Sequence, residues 1–143
     1  MKKVTYEEVA EVLDKIIQEA KRALLEVDFV VGVSRGGLFP AMVIATAIIK
    51  PLVVAYIDKQ DNVYFDRGAW IRGRKVLLVD DIVRTGKTMG RIRELLLGEG
   101  AGSVVTLAPY FLKKAARYAP DHGKMVREDI IFPWDECRVR MEQ

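Results

Sequence analysis

The segment Val76-Leu77-Leu78-Val79-Asp80-Asp81-Ile82-Val83-Arg84-Thr85-Gly86-Lys87-Thr88-Met89 constrains this chain more than any other. A short apolar run bounded by charge reads as a strand buried on both faces, which belongs to a parallel sheet covered by helices. Two adjacent carboxylates close the strand. A turn of small and hydroxyl residues follows, and an amphipathic helix is expected from about Lys87 to Leu97. Ligands of open α/β sheets bind beyond the carboxyl ends of the strands, so this turn lies where a site is expected. Thr85, Gly86, Lys87 and Thr88 offer backbone N–H groups, hydroxyls and an ammonium at a helix N-terminus, where anions bind well. Asp80 and Asp81 repel phosphate and suit hydroxyl groups or a magnesium ion. The pairing predicts a ligand with a phosphate at one end and a diol or metal at the other, which describes a sugar phosphate.

A nucleotide-binding P-loop does not fit. That motif places a glycine five residues before the glycine of Gly-Lys-Thr, and here that position is Asp81. An ordinary turn capped by Thr85 leaves the two carboxylates without a role. A second loop of the same kind lies upstream. Phe29–Val33 reads as another apolar strand, Ser34-Arg35-Gly36-Gly37 follows it, and a buried helix is expected over Leu38–Ile49, with Pro40 tolerated in its first turn. Two glycines let a backbone approach a ligand closely. Arg35 adds a planar donor fork suited to phosphate oxygens.

Around these loops the chain reads as alternating helices and strands. Thr5-Tyr6-Glu7-Glu8 has the form of a capping box. Val9, Val12, Leu13, Ile16, Ile17, Ala20 and Leu24 then recur at helical spacing, as a core-facing stripe. Leu52–Ile57 and Ser103–Ala108 read as strands and Val63–Phe65 as a short hairpin partner. Asp66–Arg74 reads as a loop, and the tail from Tyr110 to Ile130 as irregular. Strands alternating with helices imply a mostly parallel sheet with helices on both faces. With 143 residues, half of them hydrophobic, one self-sufficient domain over 1–143 is expected and disorder is excluded. The formal charge of +3 allows attraction of a polyanionic small molecule without requiring nucleic acid. Cys137 is the single cysteine, so no internal disulfide forms and a reducing cytoplasm is the expected compartment. No apolar run has the length of a membrane span, and Met1-Lys2-Lys3 leads into an acidic amphipathic stretch rather than a signal region. His122 is the single histidine, too little material for a histidine triad or zinc site. The cluster Arg67, Arg72, Arg74 and Lys75 either reaches a pyrophosphate when a loop closes or is simply solvated.

The strand, acidic pair and Thr-Gly-Lys-Thr loop resemble the phosphoribosyl pyrophosphate-binding motif of the type I phosphoribosyltransferases. Gly32-Val33-Ser34-Arg35-Gly36-Gly37-Leu38-Phe39-Pro40-Ala41 is similar to the pyrophosphate loop of the microbial purine enzymes of that family, the xanthine-guanine and hypoxanthine-guanine types. Ile130-Ile131-Phe132-Pro133-Trp134-Asp135 looks like the segment that closes over the base. Together these matches run from about Val30 to Asp135.

The resemblance implies a single-domain α/β fold of that family, with a mostly parallel central sheet flanked by helices. A small hood from the termini would draw mainly on about 110–143. It implies transfer of 5-phosphoribose from phosphoribosyl pyrophosphate to a nucleobase, a purine, with release of pyrophosphate and with Mg²⁺ as cofactor. Thr85, Gly86, Lys87 and Thr88 would hold the 5′-phosphate; Ser34, Arg35, Gly36 and Gly37 would hold the pyrophosphate, with a cis peptide between Ser34 and Arg35. Lys113, Ile130, Ile131 and Asp135 would meet the base, and Asp80, Asp81 and Asp135 the metal. Asp80, Asp81 and Arg84 are the implied catalytic residues.

Two positions depart from the purine pattern. Arg84 stands where these enzymes carry an Asp that assists proton movement at the ring, and a guanidinium cannot act as that base. Asp129 stands where an aromatic ring stacks on the purine, leaving Trp70 or Tyr110 to take that part. The loop between Ile57 and Val76 is short for a lid. These departures leave a second implied function: a nucleotide-sensing transcriptional regulator of the same fold that binds nucleic acid. For the enzyme, the partners implied are the two small-molecule substrates and further copies of the chain, as a dimer or tetramer, with no membrane and no nucleic acid.

Overall fold

The computed structural model describes residues 1–136, and Cys137 lies outside the described residues. Among the described residues, nine strands, four α-helices and three short 3₁₀ turns follow one another. The strands are β1 (Lys2–Lys3), β2 (Phe29–Ser34), β3 (Leu52–Ile57), β4 (Val63–Tyr64), β5 (Lys75–Val79), β6 (Ile82–Val83), β7 (Ser103–Leu112), β8 (His122–Val126) and β9 (Ile130–Ile131). The helices are α1 (Tyr6–Glu19), α2 (Lys21–Leu25), α3 (Leu38–Ile48) and α4 (Lys87–Gly98). The main sheet runs β4-β3-β2-β5-β7-β6, with β8 also on β7. All its pairings are parallel except the β3–β4 hairpin. The expected mostly parallel sheet is therefore present.

Alternation along the central strands splits the core between the two faces. Val30, Leu77, Val79 and Leu107 pack with α1 and α3 through Leu13, Ile44 and Ile48. Val31, Val33, Val76 and Leu78 pack on the other side with Met89, Ile92 and Leu96 of α4. Strand β5 is covered on both faces, and Val76, Leu77, Leu78 and Val79 are fully buried. Its continuous apolar run is what that position demands. At the start of α1 the capping box forms: the Glu8 N–H donates to Thr5 Oγ1 at 3.0 Å, and the Thr5 N–H donates to Glu8 Oε1 at 3.2 Å.

Three local expectations are corrected. The periodic stripe breaks at Ala20 into α1 and α2, although Leu24 still reaches the core. The stretch after Tyr110 is not irregular: β7 continues to Leu112, a 3₁₀ turn spans Lys113–Tyr118, and β8 returns alongside β7. The Thr106 hydroxyl accepts the Asp121 N–H at 2.9 Å and Asp121 Oδ2 accepts the Thr106 N–H at 2.9 Å, an anchor without a periodic sequence signal. The loop after Phe65 contains a 3₁₀ turn over Ala69–Ile71. Of the region read as the hood, Tyr110–Leu112 and His122–Val126 belong to the main sheet. A separate two-stranded sheet joins the two terminal segments, with Lys2 opposite Ile130 and Lys3 opposite Ile131.

Candidate active site

Parallel pairing of β2 with β5 sets Gly32 beside Val79, so the loops that leave these strands emerge side by side. They touch. A Cβ on Gly37 would lie 2.7 Å from the carbonyl oxygens of Val33 and Val79 and 2.9 Å from Asp80 Cα, and one on Gly36 would overlap the Asp81 carboxylate. Only glycine permits this approach. The peptide between Ser34 and Arg35 is cis, as the resemblance implied. Gly86, the N-cap of α4, has φ of +87°, a left-handed conformation that favours glycine. Gly86 supplies no side-chain cap; Thr85 Oγ1 accepts the Lys87 N–H at 3.2 Å, and the other first-turn N–H groups stay available to an anion.

The acidic pair is half-buried at the carboxyl end of β5. Asp80 Oδ1 accepts the Asp81 N–H at 2.8 Å, and Asp81 Oδ1 accepts the Ile82 N–H at 2.7 Å. Burial pushes both carboxyls above the ordinary range, and the neighbouring Asp81 charge raises Asp80 further. The Arg84 guanidinium pulls the other way on both. A pair held partly against its own ionisation is suited to a cation or to hydroxyl donors from a ligand.

Two cavities meet at Asp81. The smaller, about 210 Å³, is lined by Asp80, Asp81, Arg84, Thr85, Gly86 and Thr88 among others. The larger, about 990 Å³, is lined by Tyr6, Arg35, Gly36, Phe39, Lys59, Asp81, Trp134 and Asp135. Asp135 accepts the Phe132 N–H at 3.1 Å, and its charge acts on Asp81. Magnesium is held by one or two carboxylates together with waters and substrate phosphates. Asp81 and Asp135 fit that donor set, and among the described residues no cluster of three metal-ligating side chains exists.

The structure therefore brings together Asp80, Asp81, Arg84, Thr85, Gly86 and Thr88 on one side and Arg35, Gly36 and Asp135 on the other. Lys87 is exposed at the start of α4. Ser34 and Gly37 flank Arg35 and Gly36 in their loop. Lys113 is exposed at the start of the 3₁₀ turn after β7, Ile130 is buried in β9 beside β1, and Ile131 is half-buried; none of the three borders either cavity.

The aromatic assignments are corrected. Trp70 packs tilted against Phe29, with ring centroids 5.0 Å apart, and donates to the Asp66 carbonyl, at the strand end opposite the loops. Tyr110 packs on Phe132 inside the core. The rings at the larger cavity are Tyr6, Phe39 and Trp134, with centroids 5.2 to 6.1 Å apart. Of these, Phe39 and Trp134 stood within recognised motifs; Tyr6, an ordinary first-turn helix residue, carried no signal. Arg67 is paired with Glu99 at 2.7 Å and Lys75 with Glu26 at 3.9 Å, both away from the loops. Arg84 and Asp129, the two departures, meet: Arg84 Nε donates to both carboxylate oxygens at 3.0 and 3.1 Å.

Comparison with known proteins bears on this geometry. The sequence profile described as the phosphoribosyl transferase domain matches residues 3–140. An orotate phosphoribosyltransferase of Sulfurisphaera tokodaii is 30% identical over 106 residues, covering 71% of this chain and 52% of its own length. A transcriptional regulator, GfcR of Thermoplasma acidophilum, is 28% identical over 68% of this chain and 50% of its own. A xanthine-guanine phosphoribosyltransferase of Chromohalobacter salexigens is 33% identical over 78% of this chain and 72% of its own. The chain thus spans about half the length of the first two relatives. The solved purine phosphoribosyltransferase of Pyrococcus horikoshii superposes with a TM-score of 0.81 at 24% identity, over 98% of this chain and 97% of that one.

Proposed function

We propose that this chain, which belongs to the phosphoribosyl transferase domain family, transfers 5-phosphoribose from phosphoribosyl pyrophosphate to a nucleobase, a purine, and releases pyrophosphate. The observation that carries the reading is the contact of the two glycine-bearing loops, with Gly36 against the Asp81 carboxylate and Gly37 against Asp80. A ligand with phosphate groups at both ends of a pentose spans that junction. Thr85 to Thr88 grip the 5′-phosphate with amides, hydroxyls and an ammonium. Asp80 and Asp81 accept from the ribose hydroxyls. Ser34 to Gly37 meet the pyrophosphate, and Asp135, on the wall of the larger cavity, is the acceptor-side candidate. Mg²⁺, which Asp81 and Asp135 would hold together with the ligand's own oxygens, would supply charge neutralisation of the leaving pyrophosphate.

The reaction is a substitution at the anomeric carbon. Negative charge concentrates on the leaving group, and N–H donors and Arg35 aimed at it lower the barrier. No covalent nucleophile is required, because alignment of two bound substrates supplies much of the rate. Water has to be kept from the reacting carbon, and the Tyr6, Phe39 and Trp134 wall is placed to do so. The cytoplasm is the compartment that fits, and no helix among the described residues is long and apolar enough to cross a membrane.

Calorimetric titration with the donor and Mg²⁺, followed by a turnover screen over guanine, hypoxanthine, xanthine, adenine and orotate, tests the reading. Saturable donor binding with transfer to at least one purine is expected. Donor binding that persists without transfer to any base would overturn the enzymatic reading. The similarity to GfcR favours a second reading, a nucleotide-sensing regulator that binds nucleic acid. Binding of labelled DNA or RNA whose affinity falls steeply with salt would mark it.

A further inference from the structure

We propose that Arg84, clamped by Asp129, determines acceptor specificity, and that it selects a nucleobase bound as an anion over a neutral 6-aminopurine. The inference rests on the transferase reading and names its substrate class. Arg84 follows β6 and borders the smaller cavity with Asp80, Asp81 and Thr85. Asp129 immediately precedes β9. Among the ion pairs of the described residues, theirs alone runs from the loops beyond β5 to the terminal two-stranded sheet. It therefore bridges the smaller cavity to the terminal sheet, and the proposed acceptor position lies along that seam, beside a bound sugar phosphate.

The two partners do not contribute equally to that seam. Asp129 directs both oxygens at Arg84 Nε, and Oδ1 also accepts the Ile130 N–H at 2.8 Å. Its acceptor capacity is largely taken. Arg84 makes no hydrogen bond from its terminal nitrogens to another described residue, and its side chain is 47% exposed. A guanidinium has five N–H donors, no acceptor, and keeps its charge. The seam thus offers donors and positive charge. It complements oxygen and ring-nitrogen lone pairs on an anionic base, and it opposes the amino group of adenine.

The same inventory fixes the proton. The guanidinium has no acceptor and the Asp129 oxygens face Arg84 and the Ile130 N–H, so this pair offers the ring proton no acceptor, and in the proposed transfer the base binds with that proton already lost to solvent. Its ring nitrogen then donates a lone pair to form the N–C1′ bond. The C1′–O bond breaks, and its electron pair leaves with pyrophosphate. The negative charge of the base is consumed in the new bond, and no residue changes protonation.

Equilibrium binding of product nucleotides to the full chain tests this without requiring turnover. Xanthosine and orotidine 5′-monophosphates, whose bases are charged at neutral pH, are compared with adenosine 5′-monophosphate by calorimetry. The wild type is expected to bind the first two at least about tenfold more tightly, as charge-assisted hydrogen bonds require. Arg84→Gln is expected to bring that ratio to within about twofold, whereas Asp129→Asn, which frees the guanidinium, keeps or widens it. Arg84→Lys, retaining charge without the planar fork, gives an intermediate ratio and serves if the Gln variant does not fold. A wild type that favours the adenine nucleotide overturns the inference. So does an equal loss of preference in Arg84→Gln and Asp129→Asn, the mark of a purely structural clasp. Preserved preference in a protein that transfers no base would overturn the proposed activity and leave this assignment standing.

Discussion

Asp80 shows how a residue can oppose folding and, under the proposed function, serve a ligand. Its carboxyl is raised well above 3.8, first by burial and then by Asp81. Between 3.8 and the raised value the folded chain holds a proton that the unfolded chain has released, so stability falls as pH rises through that window. Above the window the full cost of burying the charge remains. Asp80→Asn keeps an acceptor oxygen for the Asp81 N–H and removes the charge. The variant is expected to melt higher than the wild type at neutral pH, by about 2–4 °C per kcal/mol relieved in a domain of this size. The gain should shrink toward pH 4. Donor affinity should fall in the same variant, by at least about tenfold, as lost charge-assisted hydrogen bonds require. A lower melting temperature at neutral pH would make the residue structural. Gly37 gives the opposite case: Gly37→Ala places a methyl 2.7 Å from two carbonyl oxygens. A loss of about 1–3 kcal/mol, typical of overpacking, is expected in urea unfolding.

Elements form here for reasons of differing visibility. The box at Thr5 and Glu8 was readable because both partners lie within one turn of helix, and it should contribute measurably: Thr5→Ala is expected to cost about 1 kcal/mol, read from the urea midpoint. The strands β2 and β5 and their loops were readable for the same local reason, since burial on both faces writes a continuous apolar run and each ligand loop follows directly. The second half of β7 was not. Tyr110 to Leu112 pair with β6 and β8, and β8 reads His122-Gly123-Lys124-Met125-Val126, a segment with no apolar alternation. Its place is set by the Thr106–Asp121 contacts across fifteen residues. The aromatic wall escaped for a related reason: Tyr6, Phe39 and Trp134 come from α1, α3 and the segment after β9, and spacing along a chain says nothing about rings that meet across it. The Arg84–Asp129 pair is the extreme example, two departures forty-five positions apart that become one contact.

On the scale of the whole molecule, one flank is left apolar. Leu52, Val54 and Tyr56 alternate outward along β3, beside Tyr64 of β4 and Met42 of α3, and Ile49 at the end of α3 is 88% exposed. Exposed apolar patches of this kind are characteristic of association surfaces, and the expected homo-oligomer can be tested at this one. Val54→Glu combined with Met42→Glu is expected to halve or quarter the mass seen in sedimentation at micromolar concentration while the fold persists. Unchanged mass would place any association elsewhere.

Asp81 forms part of the wall of both cavities. Whatever enters one of them changes the charge and the position of a boundary of the other. Under the proposed transfer, the two substrates are then not independent visitors: the first to arrive finishes the room that the second occupies. Steady-state velocities measured at several fixed levels of each substrate should give reciprocal plots that cross, the pattern of a path in which both partners are present before either bond moves.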